Sequence, residues 1–156
     1  VNQISIYRIV KKKWADSAFD GEGARLFGGR WNNKGKSCVY VAGSESLALL
    51  EILVHLESDA ILNAYCVIKS NIDNKQIMTL GNLPKNWQAE PAPPQTAIIG
   101  DQWLKSGQSL ALRVPSVIVP REYNYLLNPN HPDMAQMIQT TEVIDLNIDP
   151  RLHNPA

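Results

Sequence analysis

The stretch Cys38-Val-Tyr-Val-Ala-Gly-Ser-Glu-Ser-Leu-Ala-Leu-Leu-Glu-Ile-Leu-Val-His-Leu-Glu-Ser58 decides the fold. Its first five residues, Cys38 to Ala42, read as a short strand with Cys38, Tyr40 and Ala42 on one face. Gly43-Ser44 turns the chain, and Ser44 is a good N-cap for a helix running to about Ser58. At about 100° per residue, Leu47, Leu49, Leu50, Ile52, Leu53, Val54 and Leu56 point in nearly every direction, which predicts a mostly buried helix. Glu51 and His55 nevertheless lie one turn apart on one side, with Ser44 and Ser58 near the same line. A buried carboxylate is costly unless it is paired or hydrogen-bonded, so Glu51 faces a polar cavity or a partner. A buried Glu51–His55 pair, or a helix end in water, would produce the same spacing.

Outward from this unit the chain alternates strand-like and turn-rich segments. Ile4 to Val10 reads as a strand, and Lys11 to Lys36 as a loop shaped by Gly21, Gly23, Gly28, Gly29 and Gly35. Ala64–Lys69 reads as a strand and Gln76–Leu80 as a further one. Pro84, Pro91, Pro93 and Pro94 leave little beyond short turns across 81–97. A short helix is expected over Ile98–Ser106, stopped by Gly107. Leu110–Val119 is strand-like but broken at Pro115, which argues for an edge position or a bulge. Asn124–Met137 holds turns around Pro129 and Pro132, then a short helix, and Val143–Ile148 is a last strand. The sum is an α+β chain of more strands than helices, read as one domain over 1–156.

Composition excludes several classes. With 44% hydrophobic and 19% charged residues the chain is an ordinary globular protein. Ten basic and eight acidic side chains in the first 78 residues, against five and seven in the rest, are too balanced to announce a nucleic-acid surface. Lys11-Lys12-Lys13-Trp14 reads as solvated surface for the same reason. No apolar run approaches the ~20 residues needed to span a bilayer, and the opening Val1-Asn2-Gln3-Ile4-Ser5 lacks the character of a signal peptide. Cys38 and Cys66, each in an apolar stretch, read as buried thiols of a reducing cytoplasm. No His-Glu-x-x-His or Cys-x-x-Cys spacing suggests a metal.

Arg25-Leu-Phe-Gly-Gly-Arg-Trp-Asn-Asn-Lys-Gly35 matches neither the nucleotide-triphosphatase loop nor the dinucleotide fingerprint. Arg30, directly after two glycines, suits a phosphate or carboxylate held bidentately, or a surface ion pair. Tyr40 offers either a flat face and a hydroxyl to a ligand or an amphipathic cap to the core. His55 is an acid–base candidate or a satisfied core histidine. Ser116, outside any Gly-x-Ser-x-Gly elbow, reads as a hydrogen-bond donor rather than a nucleophile.

Taken in order, Gly28-Gly29-Arg30-Trp31-Asn32, Cys38-Val-Tyr-Val-Ala42, Leu47-Ala48-x-x-Glu51-x-x-Val54-His55, Val114-Pro-Ser-x-x-x-Pro120 and Asn124-Tyr-Leu-Leu-Asn-Pro-Asn-His-Pro132 resemble the RES-domain toxins. The resemblance spans roughly residues 5–148. It implies a compact mixed sheet with flanking helices, related to ADP-ribosyltransferases, that consumes NAD⁺ without a metal. It also implies a bacterial cytoplasmic setting and an Xre-like helix-turn-helix antitoxin that occludes the site, an arrangement compatible with a toxin homodimer inside the complex. Arg30, Tyr40 and Glu51 correspond to the family's catalytic trio and Ser116 to its serine, while His55 and Asn124 occupy family-typical positions around the dinucleotide.

Under that resemblance Glu51 stabilises the oxocarbenium character that develops as nicotinamide leaves the ribose. Arg30 clamps the pyrophosphate, Tyr40 stacks on nicotinamide or fences the cleaved bond, and Ser116 binds the carboxamide or a ribose hydroxyl. Water is the default acceptor; phosphate would make the enzyme phosphorolytic, and a protein side chain would make it an ADP-ribosyltransferase. A non-catalytic domain binding a transcriptional partner, or a ribonuclease built on His55 and Glu51, are the readings of other classes.

Overall fold

The computed structural model describes residues 2–56 and 62–152. Among the described residues seven strands run in chain order as β1 (Gln3–Lys11), β2 (Val39–Ala42), β3 (Tyr65–Asp73), β4 (Ile77–Thr79), β5 (Ala111–Pro115), β6 (Tyr123–Leu127) and β7 (Glu142–Asp145). They form one sheet of order β4-β5-β6-β2-β1-β3-β7, antiparallel throughout except for the parallel β4–β5 pair. The α-helices among the described residues are α1 (Glu22–Phe27), α2 (Glu45–Leu53), α3 (Pro94–Ser106) and α4 (Met134–Ile138). This is the mixed sheet with flanking helices that the family resemblance implies, and the α+β class that the residue pattern itself supports.

Period-two alternation gives the sheet two apolar faces. One buries Ile6, Val10, Val41, Ile68 and Leu127 against Met134 and Met137 of α4. The other divides into a patch holding α2 (Ile9, Ala42, Leu47, Ala48, Val67) and a patch holding α3 (Trp31, Trp103, Leu112, Val114, Leu126). Each fully buried Leu, Ile or Val there contributes about 1.5–3 kcal/mol relative to water, so the two faces together fix the register of the strands.

The ladders are unequal, and this shapes the site. β1 pairs with β3 along its full length, from Gln3 opposite Asp73 to Lys11 opposite Tyr65. β2 pairs fully with β6, but β1 and β2 register through the single pair Tyr7–Ala42. Beyond that pair the sheet is split along its middle.

Several boundaries differ from the sequence reading. Ser44 caps α2 as expected, its hydroxyl accepting from the Leu47 amide at 3.1 Å. The helix stops at Leu53, closed by a tighter bond from the His55 amide to the Ile52 carbonyl (3.1 Å), and Ser58 lies outside the described residues. Nor is it mostly buried: Leu47 and Ala48 are covered, but Leu50 and Val54 are 41% and 61% exposed. A helix lying alone over β1 and β2 can bury only one flank, however apolar its other sides.

The glycine-rich segment contains α1 rather than loop alone. α3 starts at Pro94 instead of Ile98, because proline at the first helical turn loses no intrahelical bond; Gly107 ends it in the left-handed region (φ 61°), as expected. Tyr123–Leu127, read within a turn region, is the interior strand β6. Pro115 sits on an interior strand rather than at an edge, but past the point where β4 ends at Thr79 opposite Arg113, so its missing N–H forfeits no bond to that neighbour.

Candidate active site

The split and α2 enclose a cavity of about 480 Å³, within the about 300–1,000 Å³ typical of small-molecule sites. Its walls come from β1, β2, the C-terminal half of α2, Asn124 of β6, and the segment from Gly23 to Arg30. Of the residues singled out in the sequence, Arg30, Tyr40, Glu51, His55 and Asn124 all line it.

Glu51 is the organised centre. Its Oε1 accepts from the Ser116 hydroxyl at 2.9 Å and from the Asn124 amide nitrogen at 2.7 Å, while Oε2 takes no hydrogen bond among the described residues. Three elements meet here: α2 supplies the carboxylate, the turn after β5 the serine, and β6 the asparagine. Ser116 is fully buried, and its oxygen also accepts from the Ile118 and Val119 amides, both at 3.1 Å. A hydroxyl has one proton and two lone pairs; those of Ser116 are all committed. It holds Glu51, and nothing is left to bind a substrate. His55 is exposed at the cavity mouth and is not paired with Glu51.

Tyr40 presents its ring, not its hydroxyl. The hydroxyl donates to the Asn32 carbonyl oxygen Oδ1 at 2.6 Å and accepts from the Trp31 amide at 3.1 Å. Burial pushes its pKa far above the usual phenol value, so it stays protonated. A Cβ on Gly29 would lie 2.6 Å from that oxygen, which is why this position needs glycine. Asn32, also buried, donates to the carbonyls of Ala24, Asn33 and Lys36 and knits the segment together. α3 clamps it from outside: Thr96 donates to the Arg30 carbonyl (2.6 Å), Asp101 accepts from the backbone and side chain of Asn33, and Gly100 packs directly on the Trp31 carbonyl.

Arg30 lines the cavity, but its guanidinium is turned to the Pro-rich segment. Nη1 donates to the carbonyls of Trp87 (2.9 Å) and Ala89 (2.7 Å), and Nη2 pairs with Glu90 at 2.8 Å. The arginine the sequence reading overlooked is Arg8. It projects from β1 into the split, donating Nη1 to the Tyr40 carbonyl at 2.8 Å, with Nε buried and unpartnered and no carboxylate within ion-pair distance among the described residues. Burial lowers its pKa from the ordinary guanidinium value, partly offset by Cys38 and Asp20; a guanidinium still keeps its proton. A partly buried cation without an anion, on a cavity wall, is a ready phosphate ligand. Its signal in the sequence was faint: an arginine within an otherwise apolar strand, Ile6-Tyr-Arg-Ile-Val10.

Cys38 and Cys66 are both buried and free. Among the described residues no three His, Cys, Asp or Glu side chains gather as a metal set, and no helix is long and apolar enough to cross a membrane.

A split mixed sheet whose cleft holds a carboxylate gripped by serine and asparagine, an arginine with no carboxylate partner among the described residues and a tyrosine ring defines a class of small-molecule site with both an anionic and a cationic wall. The comparisons agree on its kin: the model of the RES domain matches residues 5–149, and the chain belongs to the RES domain family. It is 42% identical over 149 residues to Toxin Res of Yersinia enterocolitica, covering 94% of this chain and 98% of that protein. It is 45% identical over 141 residues to the Prs ADP-ribosylating toxin of Sphingobium sp., covering 87% of each. Among solved structures, the M. tuberculosis MbcT-MbcA toxin-antitoxin complex contains a chain of the same fold (TM-score 0.70, 17% identity, 97% of this chain and 87% of that one).

Proposed function

We propose that the chain is a single-domain toxin that breaks the nicotinamide N-glycosidic bond of NAD⁺. The observation that carries this reading is the Glu51 carboxylate, fixed through Oε1 by Ser116 and Asn124 so that Oε2 is the oxygen left to the cavity. As the C1′–N bond breaks, its electron pair passes to the pyridinium nitrogen and nicotinamide leaves neutral. Positive charge grows on the ribose, where a fixed carboxylate stabilises it more than it stabilises the substrate. Arg8 holds the pyrophosphate, the Tyr40 ring walls the nicotinamide side, and Ser116 and Asn124 position Glu51. Arg30 keeps its family correspondence, but acts first as the anchor of the 87–90 segment and reaches the ligand by exchanging Glu90 for a phosphate oxygen.

Water adding to C1′, and releasing a proton to solvent, completes a glycohydrolase cycle and needs no further site. Transfer of the ADP-ribosyl group to a protein is the second reading, favoured by the name of the Sphingobium relative. Phosphorolysis has no such support. The toxin–antitoxin complex that holds a chain of the same fold supports an antitoxin partner for this chain; an Xre-like helix-turn-helix kind and a bacterial cytoplasmic setting are what the family resemblance adds to that reading.

Incubating the protein with NAD⁺, with and without phosphate, and weighing both the small-molecule product and the intact proteins present tests all three. Free ADP-ribose is the expected product; a protein gaining the mass of an ADP-ribosyl group selects transfer. No loss of NAD⁺ under any condition overturns the reading.

A further inference from the structure

Phe27 ends α1 at the rim of the cavity and is 78% exposed, although it lines the wall. A phenylalanine left in water gives up the burial that makes it useful to a fold. Its backbone is nevertheless held still. Gly28, in the left-handed region at φ 72°, donates to the Ala24 carbonyl at 2.8 Å; Asn32 donates to the same carbonyl at 2.9 Å; and the Gly35 amide donates to the Arg25 carbonyl at 2.8 Å. The ring is therefore presented on a fixed mount rather than carried on a loose loop.

A dinucleotide has two flat rings, one at each end of its pyrophosphate. The reading of Glu51 as the group beside the ribose puts nicotinamide against α2. Arg8 of β1 and Phe27 of α1 line other walls of the same cavity, and Phe27 is an exposed aromatic among them. We propose that Phe27 is the platform on which the adenine stacks; this rests on NAD⁺ being the substrate. Base–aromatic stacking tolerates an exposed site, since the ligand itself supplies the missing cover.

The test compares wild type with Phe27→Ala, Phe27→Leu and Phe27→Tyr, using NAD⁺ and nicotinamide mononucleotide, which lacks the adenosine half, as substrate or competing ligand. Phe27→Ala should raise KM for NAD⁺ about tenfold or more, leave kcat unchanged and leave the mononucleotide unaffected. Phe27→Tyr should restore KM and Phe27→Leu should not, which separates stacking from mere bulk. An unchanged KM for NAD⁺, or an equal loss with both compounds, overturns the assignment. Calorimetric binding of ADP-ribose to the same proteins reads the adenine contact without turnover. If wild type consumes no NAD⁺, the glycosidic chemistry fails, yet tenfold weaker ADP-ribose binding by Phe27→Ala still upholds the platform, and unchanged binding removes it.

Discussion

At the scale of single residues, the cavity holds one carboxylate and the two side chains that fix it, Ser116 and Asn124. Glu51→Gln should retain its KM for NAD⁺ and lose about 100- to 1,000-fold in kcat, because a neutral amide cannot answer a developing cation; turnover equal to wild type would remove Glu51 from the chemistry. Ser116→Ala removes one of two donors to Oε1, so kcat should fall while KM stays put; a raised KM with kcat intact would mean Ser116 touches the ligand instead. Arg8→Ala should raise KM by roughly tenfold to a hundredfold, the worth of a charge-assisted hydrogen bond. Glu90→Ala frees Nη2 of Arg30 and should lower KM by at most about fivefold, the scale of an exposed ion pair. A rise in KM would show that Glu90 serves the rim and not the exchange. Glu51 was legible in the sequence because a carboxylate on so apolar a helix demands a reason. That Arg30, Tyr40, Glu51, His55 and Asn124 line one cavity is a fact of the fold that no spacing in the chain announces. Arg8 was not legible: whether a strand arginine faces water or a split depends on which neighbour its strand lacks, and that is a matter of pairing, not of composition.

At the scale of elements, α3 and the segment it clamps behave as one unit. A Cβ on Gly100 would stand 1.6 Å from the Trp31 carbonyl oxygen, so Gly100→Ala must push the helix off the loop. Overpacking of this kind costs about 1–3 kcal/mol or more, and thermal unfolding should show a clear drop in Tm. An unchanged Tm would mean the helix and the loop are not in contact in solution. The helices and outer strands were largely readable from caps, glycines and β-branched runs, as Ser44 and Gly107 show. The misreadings share a cause. β6 was hidden because Asn124 and the prolines after it carry turn character while Tyr125, Leu126 and Leu127 owe their strand to pairing on both sides. The burial of α2 was overestimated because periodicity reports what a helix could cover, not how many partners arrive to cover it.

At the scale of the whole molecule, two protons are stored beneath the cavity. Burial raises the Cys38 thiol from 9.0 to about 12, tempered by Arg8, and raises the Tyr40 phenol in the same direction. An unfolded chain releases the thiol proton near its ordinary value while the folded chain keeps it, so in that window the unfolded state binds fewer protons and stability falls as pH rises. The contribution is fully present below about pH 9 and is lost toward pH 12. The Tm should be level up to about pH 9 and then decline, and Cys38→Ala should make the decline shallower; an identical slope in that variant would assign the alkaline loss elsewhere. The same ground contains the seam at Tyr7 and Ala42. One registered pair joins β1 to β2, and α2 bridges them on the cavity side, while on the opposite face one apolar core with α4 spans both halves, so the sheet is bound from behind like a ledger whose pages part only at the front. Such a ledger opens at its front edge alone: deuterium should enter the β1 and β2 amides along the unpaired seam well before those of the β1–β3 and β2–β6 ladders, and a ligand laid in the gutter should slow that entry.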